Sequence, residues 1–215
     1  MKLLQRSFLV PALCLLVIAL AGWRIWLSQT ERTDLDVKLQ QGIGERLASL
    51  AVESLSGRGK IAVVTLEAGQ SEEIDLQFAA FERALAAHPA VTIDDVDHVD
   101  SEGQAKYGPG RGLSARRLHR MLGKYADADL FVSFIGTPDP DDLEEQPLPA
   151  GHPRLLPVSR NPKELYELIK LGLVRVAIVP RYEFPAPGPD RPRSGSEWFD
   201  RHYQVVRLAP DAGGQ

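Results

Sequence analysis

Lys60-Ile-Ala-Val-Val-Thr-Leu66 is an apolar, largely β-branched run with no charge after its first position. A strand with one wet face alternates apolar and polar side chains. An unbroken run of this length is the pattern of a strand buried on both faces, in a parallel sheet covered by helices on each side. The same grammar repeats outward from it. Ser71 is placed to cap a helix with Glu72 and Glu73 in its first turn and Ile74, Phe78, Phe81 and Leu85 as its inner stripe; His88-Pro89 stops it. Val91 to Val99 reads as a second strand. Ser114 caps a second helix, with Leu118, Leu122 and Tyr125 inward and Arg116, Arg117, Arg120 and Lys124 mostly outward. Leu130-Phe-Val-Ser-Phe-Ile135 is a third strand and residues 155–159 a short fourth.

Asn161-Pro-Lys-Glu164 starts a further helix: a capping side chain, a proline suited to the first helical position, and a glutamate able to reach back. Gly172 ends it. Residues 174–179 form a fifth strand, 196–201 a helical turn and 203–208 a final strand. Strands alternating with amphipathic helices predict βαβ units. The expected fold is a flavodoxin-like three-layer α/β sandwich over residues 58–208, with a mainly parallel sheet in the order 2-1-3-4-5 and the last strand at an edge. Residues 209–215 read as a disordered tail. Two long loops interrupt the scheme, an acidic, proline-rich one over 136–153 and a stiff one over 180–195 with Pro185, Pro187, Pro189 and Pro192. Within the first, Asp139-Pro140 is expected to begin one helical turn.

The chain begins differently. Lys2 and Arg6 precede an apolar run from Phe8 to Trp23, closed by Arg24-Ile25-Trp26-Leu27. As a helix, residues 7–27 reach roughly 31 Å at 1.5 Å per residue, enough to span a bilayer. Trp23 and Trp26 read as an interfacial belt, and the flanking charges favour a cytoplasmic N-terminus over residues 1–6. The expectation is a single-pass inner-membrane anchor with the rest extracytoplasmic. Cleavage after Ala19-Leu20-Ala21 is the alternative. Cys14 completes no lipoprotein motif, because Leu13 stands where a small residue is wanted. Residues 28–57 are expected to be a helical stalk. Leu35, Leu39, Ile43, Leu47 and Leu50 make an amphipathic stripe that Gly42 and Gly44 weaken; it serves a helix lying on the domain or leading to it, or a homo-oligomer through residues 31–56.

The 215 residues carry a formal charge of −4, and without Lys2, Arg6 and Arg24 there remain 22 basic against 29 acidic residues. Nucleic acid, which wants a clearly basic face, is excluded as a partner. The one cysteine lies in the apolar run, so the exported part has no disulfide and must be held by its core.

In an open parallel sheet, ligands sit beyond the carboxyl ends of the strands, where strand order reverses. That rule nominates Glu67-Ala68-Gly69-Gln70-Ser71 after the first strand, with Glu67 and Ser71 as its ligand candidates. It nominates Gly136-Thr137 after the third and Arg160-Asn161 after the fourth, with Thr137 and Asn161 as theirs, and Arg181-Tyr182 after the fifth. It also nominates Tyr107-Gly-Pro-Gly-Arg-Gly-Leu-Ser114, where Gly108, Gly110 and Gly112 admit close backbone approach, Arg111 adds charge and Ser114 opens a helix. The spacing matches neither the dinucleotide fingerprint nor the phosphate loop. Asp94, Asp95, Asp97, His98, Asp100 and Glu102 are the other cluster. They read as an acidic edge strand that resists pairing, with a cation site for a metal-assisted hydrolase as the alternative. No catalytic motif or cofactor fingerprint is present. His88, His119, His152 and His202 have no ligand spacing, and Trp198 and Phe199 are expected to plug the sheet edge.

The segment Lys60 to Leu66 with its helix, and Tyr125-Ala-Asp-Ala-Asp-Leu-Phe-Val-Ser-Phe-Ile-Gly136, resemble one lobe of the type I periplasmic binding proteins. In that family a helix ending in Ala-Asp commonly leads into the third strand. The resemblance covers roughly residues 60–180. It implies extracytoplasmic capture of small solutes between two hinged lobes. Only one lobe's worth of residues is present, so no family ligand residue carries over. The functional expectation is a membrane-anchored binding or sensing domain, without catalysis or cofactor, for a small polar ligand or an envelope protein. An accessory subunit of an envelope or secretion assembly is the structural alternative.

Overall fold

The computed structural model describes residues 16–21, 23–24, 37–100, 113–144, 148–149, 151–159, 162–183 and 192–207. Contacts divide the chain into a unit of residues 1–37 and a unit of residues 38–215. In the first, residues 16–21 and 23–24 are helical, and Leu16, Val17, Ile18, Leu20 and Trp23 are exposed. Among the described residues no helix is long and apolar enough to cross a membrane. Most of the expected span over 7–27 lies outside them.

The second unit opens with helix α1 (37–54) and continues β1 (Gly59–Leu66), α2 (Glu72–Leu85), β2 (Val91–Val99), α3 (Ala115–Lys124), β3 (Leu130–Ser133), α4 (Pro140–Glu144), β4 (Arg154–Pro157), α5 (Pro162–Lys170), β5 (Val176–Pro180), α6 (Gly195–His202) and β6 (Tyr203–Arg207). Four strands pair in parallel in the order β2-β1-β3-β4. β5 lies beside β4 through two parallel bridges, Leu155 with Val174 and Val158 with Ile178, and β6 pairs antiparallel to β5. The strand order is thus the expected one. Its far end is looser, a two-stranded ribbon bridged to the main sheet.

β1 shows why the sequence gives two cores. Ile61 and Val63 enter one, Ala62 and Val64 the other, and all four are fully buried. The Ile61 face packs against α1, α2 and α6 through Leu47, Leu50, Phe81 and Phe199, with Phe134 edge-on to Phe81 at 5.4 Å. The Ala62 face packs against α3 and α5 through Leu118, Leu122, Leu165 and Leu168. Phe199 and Trp198 are both buried, and Phe199 packs on the Ile61 face rather than at an edge strand alone.

Helix α1 is the helix lying on the domain that its stripe allowed for. Ile43, Leu47 and Ala51 are fully buried, and the compact unit begins at Lys38 rather than at residue 58. Its stripe covers the sheet over 38–54. The two glycines explain the fit. A Cβ on Gly44 would stand 2.1 Å from the Gln77 carbonyl oxygen, and one on Gly42 would stand 2.1 Å from that of Gly195. They let α1 touch the backbones of α2 and α6, and the buried Gln77 amide then donates to Gln40 at 2.6 Å.

β2 is an edge strand with a bulge. Ile61 is opposite Ile93 but Ala62 is opposite Asp95, so Asp94 is the extra residue. The skip reverses the alternation. Val91, Ile93 and Val96 pack with the α1 and α2 core, while Asp95, Asp97 and Val99 turn to the α3 face.

Candidate functional site

The strand order reverses between β1 and β3: the chain leaves β1 toward β2 and returns on the other side as β3. At this switch point the carboxyl ends of two neighbouring parallel strands open into two short loops. After β1, Gly69 has φ +84° and its N–H donates to Asp75 at 2.9 Å. The amide of Gln70 donates to Asp100 at 3.1 Å and toward Glu67 at 3.4 Å, joining the ends of β1 and β2. After β3, Gly136 has φ +92°, and the buried Ser133 hydroxyl donates to its carbonyl at 2.6 Å, closing a tight turn. Thr137 follows at 5% exposure. At the end of β5, Arg181 donates to the Tyr203 carbonyl at 2.9 Å, and Tyr182 is 66% exposed.

The nominated residues divide accordingly. Glu67 is exposed at the switch point; Thr137 is there too, but buried. Ser71 and Ser114 are caps whose hydroxyls accept from the Ile74 and Arg117 N–H groups, so each already has a local donor. Gly108, Gly110, Arg111, Gly112 and Asn161 lie outside the described residues. Gln70 lies in the segment nominated after β1, and the β1–β2 register brings Asp100 to it.

The acidic strand is engaged on both faces. Asp94 pairs with Lys60 at 3.5 Å. The Tyr125 hydroxyl lies 2.9 Å from Asp95 and 2.6 Å from Asp97, and the Lys124 ammonium, which also bonds the Tyr125 oxygen, lies 3.3 Å from each carboxylate. The Tyr125 hydroxyl and Lys124 hold the Asp95 carboxyl below its ordinary range. Burial and the facing Asp97 push the Tyr125 phenol up, which keeps it a neutral donor. Lys124 therefore belongs to this network and not to a wholly solvated face. Among the described residues no three His, Cys, Asp or Glu side chains gather as a cation site, and these carboxylates are spread over two faces of one strand.

The carboxyl edge is acidic as well as polar. Glu67 and Asp100 stand beside the first turn of α2, whose Glu72, Glu73 and Asp75 face its positive pole. Such an edge offers acceptors to hydroxyl or ammonium groups and repels anions.

No family profile and no curated protein sequence matches the chain. Solved structures match in fold. One is a solute-binding protein of an ABC transporter from Burkholderia graminis, in complex with D-arabinose, at 16% identity and a TM-score of 0.53, covering 78% of this chain and 59% of that one. Another is the glucose-galactose binding protein GanP from Geobacillus stearothermophilus, at 12% identity and a TM-score of 0.52, covering 78% and 60%. A third is the XylFII molecule, at 11% identity and a TM-score of 0.53, covering 79% and 61%. The chain spans about three fifths of each. The expected likeness to one lobe of the periplasmic solute-binding proteins holds at the level of fold.

Proposed function

We propose that the chain is a membrane-tethered, extracytoplasmic binding domain that performs no catalysis and holds a small, neutral, hydroxyl-rich ligand at the carboxyl edge of its sheet. The observation that carries this reading is the switch point between β1 and β3. There two positive-φ glycines open the loops, and Glu67, Gln70 and Asp100 form a linked set of polar groups. Carboxylates and amides of this kind accept from sugar hydroxyls, and the acidic edge disfavours anionic solutes. Ligands named for structures of the same fold, D-arabinose in one and glucose-galactose in another, support the class. Gly108, Gly110, Arg111, Gly112, Ser114, Ser71, Thr137 and Asn161 complete the crevice in this proposal. The exposed side chains of Leu16, Val17, Ile18, Leu20 and Trp23 support the tether, since they need an apolar medium to cover them.

The test is a thermal-shift screen of the full chain in mild detergent against neutral pentoses and hexoses, amino acids and polyamines. A neutral sugar should raise the melting temperature, and Glu67→Ala or Gln70→Ala should remove most of the rise. No shift with any class would overturn the reading. Exposed Tyr182 at the same edge favours a second reading, an envelope protein docked there in an accessory role. A partner retained from membrane extracts by the parent chain and lost with Tyr182→Ala would select it. A reporter at the C-terminus that is active only in the cytosol would refute the tether.

A further inference from the structure

We propose that the opposite, amino edge of the sheet carries a separate anion site that takes a phosphate monoester. A cleft of about 200 Å³ opens there between the last turn of α1 and the starts of β3, β4 and β5. Its charged lining is Arg154, Arg175, Arg207, Glu53 and Asp129. Not all of that charge is committed. Arg207 forms a two-pronged ion pair with Glu53, one arm at 2.8 Å, and the pair holds the Glu53 carboxyl below its ordinary range. Asp129 accepts from the Lys60 backbone N–H at 2.9 Å. Among the described residues Arg154 and Arg175 make no ion pair or side-chain hydrogen bond, and both are exposed.

Two unpaired guanidiniums on one small cleft call for a ligand with two negative charges on one group. A planar fork of donors suits the tetrahedral oxygens of phosphate, and a phosphate dianion neutralises both cations where a single carboxylate neutralises one. Leu130, Leu155 and Leu156 form the buried floor of the same cleft, and half-buried Val176 provides an apolar surface for the organic part of the ester. The carboxyl end of α1, which would repel an anion, is muted. The Ala51, Val52 and Glu53 carbonyls accept from the Leu55, Gly57 and Ser56 N–H groups at 3.0, 2.8 and 3.1 Å. No residue of this cleft belongs to the carboxyl-edge crevice, so the two proposals stand or fall separately.

Calorimetric titration of the full chain in detergent, with phenyl phosphate and with inorganic phosphate, tests the site. Phenyl phosphate should bind saturably, and more tightly than inorganic phosphate. Arg154→Gln and Arg175→Gln should each weaken it about tenfold or more, as expected for a lost hydrogen bond to a charged group. Glu53→Gln frees Arg207 and should tighten binding, a gain that damage to the fold does not produce. Circular dichroism establishes that each variant is folded. Failure of both probes to bind saturably would overturn the proposal. So would undiminished binding in a folded Arg154→Gln/Arg175→Gln variant.

Discussion

The two edges of one sheet carry opposite chemistry. At the carboxyl edge stand Glu67, Asp100 and the acidic first turn of α2; at the amino edge stand Arg154, Arg175 and Arg207. The difference follows from topology. In a parallel sheet covered by antiparallel helices, helix N-termini gather at one edge and C-termini at the other. Acids settle the positive poles, as in α2 and α5, and cations the negative ones, as Arg83, Lys124 and Lys170 do in α2, α3 and α5. Dipole compensation thus sorts charge before any ligand does. Ligand class can then be read as what each edge still lacks.

The strongest way to break the comparison is to remove the helix that covers one face of the sheet beneath both edges' strands. A chain beginning at Arg58 lacks Ile43, Leu47 and Leu50, each contributing about 1.5–3 kcal/mol by burial, and exposes the sheet face beneath them. Against a typical stability of about 5–15 kcal/mol this loss is not survivable. Such a chain should show no cooperative unfolding by circular dichroism, and binding at both edges should vanish together. A cooperative transition would show that α1 is dispensable. Gly44→Val is gentler. Its Cβ would overlap the Gln77 carbonyl and prise α1 from α2. Urea unfolding should report a loss of about 3 kcal/mol, and less than about 1 kcal/mol would contradict the close approach.

Ser71→Ala acts at one edge only. It removes the acceptor for the Ile74 N–H and should cost about 1 kcal/mol in the same assay. Phenyl phosphate affinity should stay unchanged; a weakening there would mean the edges are coupled. Asp95→Asn has the smallest expected effect, on an exposed carboxylate. The Asp95 carboxyl is depressed in the fold, first by the Tyr125 hydroxyl and then by Lys124. The unfolded chain therefore binds its proton more readily. The stabilisation is present above the ordinary value of about 3.9 and lost as pH falls through the lower folded value. Urea midpoints of parent and variant should differ at pH 7 and converge in acid below that value. A gap that widened in acid would reverse the sign and exclude the assignment.

Much of the fold was legible because each strand and helix announced itself locally. The unbroken run at 61–66, the caps Ser71 and Ser114 and the inner stripes all rest on neighbours within four residues. What escaped depends on distant partners. Gly42 and Gly44 read as helix weaknesses, since propensity is local, yet they serve contacts with Gly195 and Gln77. The bulge at Asp94 was written in the spacing of Val91, Ile93 and Val96, two and then three, but strict alternation masked it. At the candidate site, Glu67 and Gln70 follow from their place after β1, whereas the bond from Gln70 to Asp100 needed the pairing of β1 with β2. The arginine cleft had no linear signature, because its residues come from five separate segments.

Hydrogen–deuterium exchange of the full chain with saturating D-arabinose or D-galactose addresses the central claim most directly. The account predicts slowed exchange centred on residues 67–71 and 134–139, flanking the junction of β1 and β3, and reaching beyond them only to 108–114 and 161. Protection centred on residues 154 and 175, or a sugar that binds while leaving both of those loops unprotected, would contradict it.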